Sequence, residues 1–401
     1  MTCCGKKDMK QLLRNNKIAA NRIALLLCNL ERGGIQRVAV NLGDMFLNKG
    51  YEVFYFVELY DKKKSYSHKG KVVKLYSHIN MSNETKELNS YLCNAYNLRK
   101  LKKKYKINYT ISFAPEMNLL NMISGIGDKR ILTIHNCTSI RDDVNSIAYK
   151  KPFMRLDNFA YKVVPVSKWC KEDLQKNYGI HASKLQVIYN PTSIKKDIGI
   201  SQRQNMVLCV GRLEEVKRQW HILKAFKTIE NELPDYKLCF AGDGYCEKQL
   251  RKLTKDLGLS ERVDYIGFVN DMQTLYARAK LLVLTSKSEA FPCVAVEAMS
   301  YGVPIVAFDI PGGLSEAMGV NRQSNRYPLD AEAGLITEYC KLDDNWENID
   351  INLQEQMLGE SILRLLTDKE LYEEKVAGAK EMSKKFDENI IEEQWIRLLE
   401  G

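Results

Sequence analysis

The sequence lacks any run of 18 or more apolar residues, so it predicts no membrane-spanning helix. Its 11 cysteines form no CxxC pair and have no histidine partners at the spacing of a metal site. This distribution favours a reducing cytoplasm, in which cysteines act as small apolar side chains. The basic, polar segment 1–22 has no apolar core before a cleavage site, so we expect no secretory signal there.

The overall composition is that of a globular protein, because 45% of the 401 residues are hydrophobic and 27% are charged. This length predicts two or three domains. The charge is unevenly divided: residues 1–190 hold 33 Lys and Arg against 15 Asp and Glu, a net charge of +18, whereas residues 191–401 carry −8. A half this basic predicts an anionic partner (a nucleic acid, a membrane surface or a substrate), unless it is a solvated, lysine-rich surface.

Short apolar runs alternate along the chain with longer helical patterns. Near-continuous apolar strands separated by helices are typical of parallel sheets buried on both faces. Two series of five or six such strands predict an α/β protein of two doubly wound domains, joined at Asn190-Pro191-Thr192. The predicted strands are 22–28, 52–58, 107–113, 130–134, 163–167, 186–189, 206–211, 237–241, 263–267, 281–285 and 304–308.

Charged residues follow two of the predicted strands in the second half. Open parallel sheets bind ligands beyond the carboxyl ends of their strands. Arg212 and Lys217 follow the strand 206–211, and a guanidinium with a mobile ammonium makes a good clamp for a diphosphate. The alternative is that both are solvated residues of a loop.

Glu289 and Glu297 stand eight residues apart after the strand 281–285. Pro292 suits a first helical position, so a helix is predicted over 292–301 with Glu289 in the loop before it. Carboxylates accept hydrogen bonds from sugar hydroxyls, which predicts a sugar site. Alternatively, Glu289 is an acidic residue at a helix start and Glu297 a salt-bridge partner.

Three features of the basic half are weaker indications of function. Gly33 and Gly34 form a strand–helix turn that admits a phosphate or a sugar, although any tight turn uses glycine. No G-x-G-x-x-G or Walker A sequence accompanies them. His135 follows a predicted strand, where catalytic and structural roles are evenly matched. The basic run 99–106 ends a helix and is either a solvated helix end or a patch for anionic lipid headgroups.

Several segments together resemble a known family. The segment S-E-A-F-P-C-V-A-V-E-A-M-S-Y-G-V-P-I-V-A resembles the E-x7-E signature of retaining glycosyltransferase family 4, whose members have the GT-B fold. V-G-R-L-E-E-V-K resembles the diphosphate-binding turn of that family, and F-A-G-D-G with Y-I-G-F-V resembles its intervening strands. G-G-I-Q-R-V-A resembles its N-terminal glycine loop. The resemblance spans about residues 20–320 and is closer in the second half.

The resemblance implies a role for each matching residue. Arg212 and Lys217 would bind the donor diphosphate, Glu289 the hydroxyls of the transferred sugar, and Glu297 the ribose. Backbone near Phe268 and Val269 would hold the base, Gly33 and Gly34 would lie near the donor phosphate, and His135 would lie over the sugar. The implied catalytic residues are Glu289, His135, Arg212 and Lys217, and the implied donor-binding residues are Gly33, Gly34, Arg212, Lys217, Phe268, Val269, Glu289, Phe291 and Glu297.

The implied architecture is a GT-B fold of two Rossmann-like domains that face a cleft. Residues 1–190 would bind the acceptor and 191–385 the nucleotide sugar, while a helix in 386–401 would pack back on the first domain. The implied activity is transfer of a hexose or N-acetylhexosamine, with retention, from a UDP-sugar to a glycan or lipid-linked acceptor in surface polysaccharide biosynthesis.

No cofactor or metal is expected, because family members mostly work without one and no Asp-x-Asp occurs. The location would be the cytoplasm, peripheral at the inner face of the cell membrane. Two alternatives are a sugar-nucleotide 2-epimerase on the same fold and a basic nucleic-acid-binding protein. The second is disfavoured because the basic residues lack interleaved aromatic platforms.

Overall fold

We describe a computed structural model of the protein, covering residues 21–31, 33–75, 84–141, 145–192, 203–320, 326–340, 346 and 348–401. The segment 1–20, which carries most of the expected non-secretory N-terminus, lies outside these residues. The chain divides into two compact units. The first comprises Met1–Ile134, Asp143–Val164 and Tyr178–Gln186, and the second comprises His135–Asp142, Pro165–Asn177 and Val187–Gly401.

A six-stranded sheet forms the centre of the first unit, in the order β3-β2-β1-β4-β5-β6. The pairings that join β3 through to β5 are all parallel. Every residue of the central strand after Arg22 is fully or almost fully buried, which is why this segment reads as a continuous apolar run. The strands are β1 (Arg22–Leu27), β2 (Glu52–Val57), β3 (Lys71–Lys74), β4 (Tyr109–Phe113), β5 (Lys129–Ile134) and β6 (Lys162–Pro165).

A seven-stranded sheet forms the centre of the second unit, in the order β12-β13-β11-β10-β7-β8-β9. All of its pairings are parallel except that of β12, which runs antiparallel to β13 at one edge. The strands are β7 (Met206–Val210), β8 (Lys237–Ala241), β9 (Val263–Gly267), β10 (Leu281–Leu284), β11 (Ile305–Phe308), β12 (Leu329–Ala331) and β13 (Gly334–Thr337). The expectation of an α/β protein with two doubly wound domains is confirmed.

Helices connect most of these strands. Among the residues that the structure describes, no helix is both long enough and apolar enough to cross a bilayer. The helices are α1 (Gly34–Asn48), α2 (Glu84–Lys104), α3 (Pro115–Ile123), α4 (Lys151–Met154), α5 (Lys168–Asp173), α6 (Trp220–Thr228), α7 (Glu247–Asp256), α8 (Met272–Arg278), α9 (Cys293–Ser300), α10 (Leu314–Met318), α11 (Leu353–Thr367), α12 (Lys369–Lys384) and α13 (Glu388–Glu400).

The structure corrects some of the predicted elements. Residues 186–189, which the sequence predicts as a strand, form none, and the neighbouring Leu185 makes a single bridge to Val163. The short strands β3, β12 and β13 were not predicted, because three or four residues are too few for a clear pattern. After β7, residues 215–217 form a 3-10 turn, and the following helix α6 begins at Trp220.

One lysine of the basic run faces inward. Lys102 is fully buried, and its Nζ lies 2.9 Å from Oδ2 of Asp128, which is also buried. Asn121 Oδ1 accepts a hydrogen bond from the same Nζ at 2.8 Å, and Thr110 donates to Asp128 at 2.6 Å. Burial lowers the pKa of Lys102 to about 8 despite the opposing charge of Asp128. The lysine thus joins helix α2 to the first sheet instead of adding to the surface charge.

We expect Lys102→Met to destabilise the protein by about 3–5 kcal/mol, because it leaves Asp128 buried without its partner. Urea unfolding measures the loss. The matched control is Lys103→Met at the exposed neighbouring position, where a change within about 0.5 kcal/mol is expected. Adding Asp128→Leu to Lys102→Met restores much of the stability. Equal midpoints for the Lys102 and Lys103 variants would show that the buried pair is energetically unimportant.

Candidate active site

Three of the residues predicted to form the site follow the central strands of the second sheet. Strands β7 and β10 are neighbours there, and the chain proceeds from β7 towards β8 and β9 but from β10 towards β11 and β13. Such a reversal of strand order opens a crevice at the carboxyl ends of the two strands. Arg212 and Lys217 follow β7, and Glu289 follows β10, so the topology delivers all three to this crevice.

Lys217 and Glu289 are in direct contact, although they are 72 residues apart in sequence. Lys217 Nζ lies 2.5 Å from Glu289 Oε1, with side chains 23% and 15% exposed. Ser286 also donates a hydrogen bond to Oε1, at 2.7 Å. The lysine charge stabilises a carboxylate at the end of β10, and both groups remain partly accessible. The arrangement places a cation and a hydrogen-bond acceptor within reach of adjacent groups of one ligand.

The loop of Glu289 is fixed by two glycines that follow β11. Glu289 N donates to Pro311 O at 3.1 Å, and Gly313 N donates to Glu289 O at 2.9 Å. Gly312, with φ +120°, lies so close that a Cβ there would be 1.8 Å from Glu289 O. No other residue fits this position without moving the backbone of Glu289. The glycines therefore set the position of the carboxylate.

The turn that carries Lys217 is hydrogen-bonded to the segment after β10. Lys287 N donates to Val216 O at 2.7 Å, and Thr285 Oγ1 donates to the carbonyls of Lys217 and Arg218 at 3.2 and 2.9 Å. These bonds hold the two loops together, so that the ion pair is supported by backbone on both sides.

Arg218 is a positioning residue that the sequence did not single out. Its backbone is left-handed, with φ +48°, and its side chain is buried. Its Nη1 donates to Cys340 O at 2.9 Å and to the hydroxyl of Tyr339 at 3.3 Å, and Tyr339 in turn donates to Lys287 O at 3.3 Å. Nothing in the sequence marks it, because its function depends on partners more than 120 residues away.

Arg212 lies on the same loop as Lys217 but is more exposed. Its Nη1 pairs with Glu214 Oε1 at 2.5 Å, and its side chain is 64% exposed. The loop backbone is held by Gly242, where a Cβ would lie 2.0 Å from Gly211 O. The structure thus places Arg212 at the carboxyl end of β7, beside the glycine turn after β8, with its guanidinium at the surface.

Glu297 lies on α9, within the predicted helix, whereas Glu289 lies in the loop before it. Its Oε2 accepts a hydrogen bond from the buried Tyr276 hydroxyl of α8 at 2.9 Å. Pro292 is the residue before this helix and not its first residue, which shifts the predicted start by one position. Phe268 and Val269 follow β9, with Phe268 41% exposed.

His135 begins a segment that packs beside the Glu289 loop. Two residues later, Cys137 Sγ lies 3.7 Å from Pro311 O. Cys170 Sγ is 3.6 Å from Asn136 O and 3.8 Å from Ala290 O, so it contacts both the histidine segment and the Glu289 loop. Burial lowers the pKa of His135 to about 4. The imidazole is therefore neutral at pH 7 and offers hydrogen bonds without a charge.

Phe291 belongs to an aromatic cluster. It is 6% exposed, and its ring lies 5.4 Å from Tyr189 and 5.1 Å from Phe386, measured between centroids. The cluster packs the residue before Pro292 against the beginning of the C-terminal segment.

Gly33 and Gly34 lie in the first unit, where they begin α1 after β1. Gly33 has extended backbone, with φ −178°. Within the described part of the chain, no three His, Cys, Asp or Glu side chains come together as a metal site.

Two family models match consecutive parts of the chain. The model described as Glycosyltransferase Family 4 matches residues 32–196, and the model described as Glycosyl transferases group 1 matches residues 191–327. Together they cover most of the first unit and the crevice of the second.

The chain is also similar to individual proteins. It is 24% identical over 385 residues to the Campylobacter jejuni GalNAc-alpha-(1->4)-GalNAc-alpha-(1->3)-diNAcBac-PP-undecaprenol alpha-1,4-N-acetyl-D-galactosaminyltransferase, with 94% of this chain and 98% of that protein covered. It is 26% identical over 276 residues to the N-acetylgalactosamine-N,N'-diacetylbacillosaminyl-diphospho-undecaprenol 4-alpha-N-acetylgalactosaminyltransferase of the same species, with 66% and 72% covered.

Among solved structures, Anabaena HepE in complex with UDP and glucose superposes with a TM-score of 0.72. The identity is 19%, and 94% of this chain and 99% of that chain are covered. At this identity the likeness concerns the fold. Since the two family models match consecutive parts of a chain that folds as two doubly wound units, the protein belongs to glycosyltransferase family 4 and is a glycosyltransferase of the GT-B fold.

Proposed function

We propose that the protein transfers a hexose or N-acetylhexosamine from a UDP-sugar to a glycan or lipid-linked acceptor in surface polysaccharide biosynthesis, with retention at the anomeric carbon. The observation that carries the proposal is the contact of Lys217 with Glu289 at the end of β7 and β10. A phosphate-binding cation beside a hydroxyl-binding carboxylate matches the junction of a diphosphate and a sugar.

In the proposed reaction, the bond between the anomeric carbon and the diphosphate oxygen breaks while the acceptor oxygen bonds to the same carbon. The departing diphosphate gains negative charge, and Lys217 and Arg212 stabilise it. Glu289 moves from Lys217 to the sugar hydroxyls and fixes the ring. The acceptor proton passes to the departing phosphate oxygen, so the acceptor attacks from the face that the leaving group vacates. No metal or cofactor takes part in this step.

The donor and the stereochemistry are supported by the similar proteins. HepE was solved with UDP and glucose, which favours a uridine nucleotide. Both Campylobacter relatives are described as forming alpha linkages, and an alpha product from an alpha-linked nucleotide sugar is the result of retention. His135 is neutral at pH 7, and we propose that it fixes the acceptor or the transition state by hydrogen bonding.

The acceptor is supported by the same relatives, because both are named for undecaprenyl diphosphate-linked glycans. An acceptor carried by lipid requires an enzyme that works at a membrane. We therefore propose that the protein binds peripherally at the cytoplasmic face of an anionic membrane.

Helix α2 has the surface for this. Leu88, Leu92 and Tyr96 are 43%, 56% and 60% exposed, and their spacing of four places them in one stripe along the helix. Lys100 continues the stripe, with its Nζ 4.2 Å from the centre of the Tyr96 ring. Lys103 is also exposed at this end of the helix. Apolar side chains beside lysines suit insertion at an anionic lipid surface.

We expect Lys217→Ala and Glu289→Gln each to lower kcat by about 100-fold or more, because a preorganised group at the reacting bond is lost. The measurement is UDP release from UDP-sugars in the presence of acceptor, together with the urea midpoint of each variant. Lys237→Ala is the matched control, since Lys237 forms an exposed ion pair with Asp264 on β9 and begins β8 at the other end of the strands. Full activity in either site variant would show that the replaced residue takes no part in the reaction.

We expect Glu297→Ala to weaken UDP binding by about 10-fold or more, because a hydrogen bond between a charged group and a ribose hydroxyl is lost. Titration calorimetry with UDP and with 2′,3′-dideoxyuridine diphosphate distinguishes the loss of this contact from a nonspecific loss of nucleotide binding. The dideoxy nucleotide should bind wild type and variant alike. Equal losses for both nucleotides would place Glu297 away from the ribose.

We expect the wild-type protein to sediment with phosphatidylglycerol vesicles and to be released from them by high salt. It should not bind vesicles of phosphatidylcholine alone. Replacing Leu88, Leu92 and Tyr96 with serine should abolish this binding and leave soluble-acceptor turnover unchanged. The control is serine at Leu353 and Ile390 of the second unit, which are 63% and 45% exposed. Salt-independent binding, or binding by the α2 variant, would contradict the proposed surface.

A further inference from the structure

A cavity of about 650 Å³ lies on the second unit, outside the residues that the sequence selects. Its walls come from α5, the turn that follows α5, and the segment after His135. The lining residues are Ser139, Trp169, Glu172, Asp173, Gln175, Lys176 and Asn177.

Asp173 holds the walls of this cavity together. It is 6% exposed, and both of its carboxylate oxygens have partners. Oδ2 accepts a hydrogen bond from Ser139 N at 3.1 Å, and Oδ1 accepts one from Asn177 Nδ2 at 2.7 Å. The two bonds join the helix to the segment after His135 and orient the amide of Asn177. The cavity is thus a built feature with a fixed polar side chain in its wall.

The helix also changes its geometry at the cavity. Helix α5 ends at Asp173, and Leu174–Tyr178 continues as a π-helix. A π-helix is rare, packs its backbone less favourably than an α-helix, and is frequent at functional sites. Here it carries Gln175 and Asn177, two of the polar side chains that line the cavity.

The chemistry of the lining suits a neutral, hydroxyl-rich ligand. Trp169 is half-buried and offers an apolar ring, against which the C–H face of a sugar packs. Glu172 accepts hydrogen bonds from hydroxyls, whereas the amides of Gln175 and Asn177 both donate and accept them. The carboxylates of Glu172 and Asp173 outnumber the single ammonium of Lys176 in the lining, which disfavours a diphosphate, so the cavity is a poor match for the donor. We propose that it binds a sugar residue of the acceptor glycan.

The position of the cavity agrees with that assignment. Cys170 follows Trp169 on α5, and its Sγ contacts Ala290 O, next to Glu289. Ser139 comes four residues after His135 on a single short segment. A sugar held at Trp169 therefore lies on a helix that is in direct contact with the segments of Glu289 and His135. The identification of the ligand as the acceptor rests on the proposed glycosyl transfer, while the binding of a saccharide does not.

The test is titration calorimetry of the full chain with three soluble probes: a disaccharide of α-1,4-linked N-acetylgalactosamine, chitobiose and maltotriose. We expect at least one probe to bind the wild type, and Trp169→Ala to weaken that binding by about tenfold or more. Trp169→Phe, which keeps an aromatic face, should retain most of it. Glu172→Ala, at an exposed position, should also weaken binding and covers the case in which Trp169→Ala does not fold.

Lys168→Ala is the matched control, because Lys168 is exposed on the same helix and does not line the cavity. The inference is overturned if no probe binds the wild type, or if the Trp169 and Glu172 variants bind as the wild type does. UDP titrated into the same samples separates the two proposals. UDP binding without saccharide binding supports the proposed transfer and overturns the saccharide site. Saccharide binding through Trp169 without UDP binding supports the saccharide site and overturns the proposed transfer.

Discussion

The contact between Lys217 and Glu289 depends on a backbone that tolerates no side chain at one position. Gly312 lies against the carbonyl of Glu289, and its neighbours donate to and accept from the same residue. The carboxylate is therefore placed by β11 as much as by β10, which it follows. The lysine is placed by the turn after β7, which is hydrogen-bonded to the same segment. Three parallel strands thus converge on one ion pair, and the chemistry that we propose depends on that convergence.

Each charged side chain that we place in the reaction has a partner of opposite charge. A bare carboxylate would repel a diphosphate, but the ammonium of Lys217 compensates it until a ligand separates the two. His135 adds no charge, because burial keeps its imidazole neutral. Arg212 lies at the surface, paired with Glu214 on its own loop, and has room to turn towards a phosphate. The charges of Lys217 and Arg212 are thus balanced by carboxylates within the site, and in the proposed reaction the ligand replaces these internal partners.

Much of this arrangement could be predicted from the sequence, and the rest could not for identifiable reasons. The central strands β7, β10 and β11 are continuous apolar runs, so their ends and the residues that follow them were evident. Lys102 was misread as part of a surface patch, because lysine is normally exposed. Lys102 lies on the same face of α2 as Leu98 and Leu101, and all three side chains are buried. Arg218 and the cavity beside Trp169 depend on contacts between distant segments, which a local pattern does not contain.

The two sheets share one connectivity, since β3-β2-β1-β4-β5 repeats as β9-β8-β7-β10-β11. The reversal that opens a crevice between β7 and β10 therefore has a counterpart between β1 and β4, where the loop with Gly33 and Gly34 emerges. Each of these two strand-order reversals belongs to its own sheet. Selectivity at one crevice is consequently free to diverge in evolution while recognition at its counterpart stays constant.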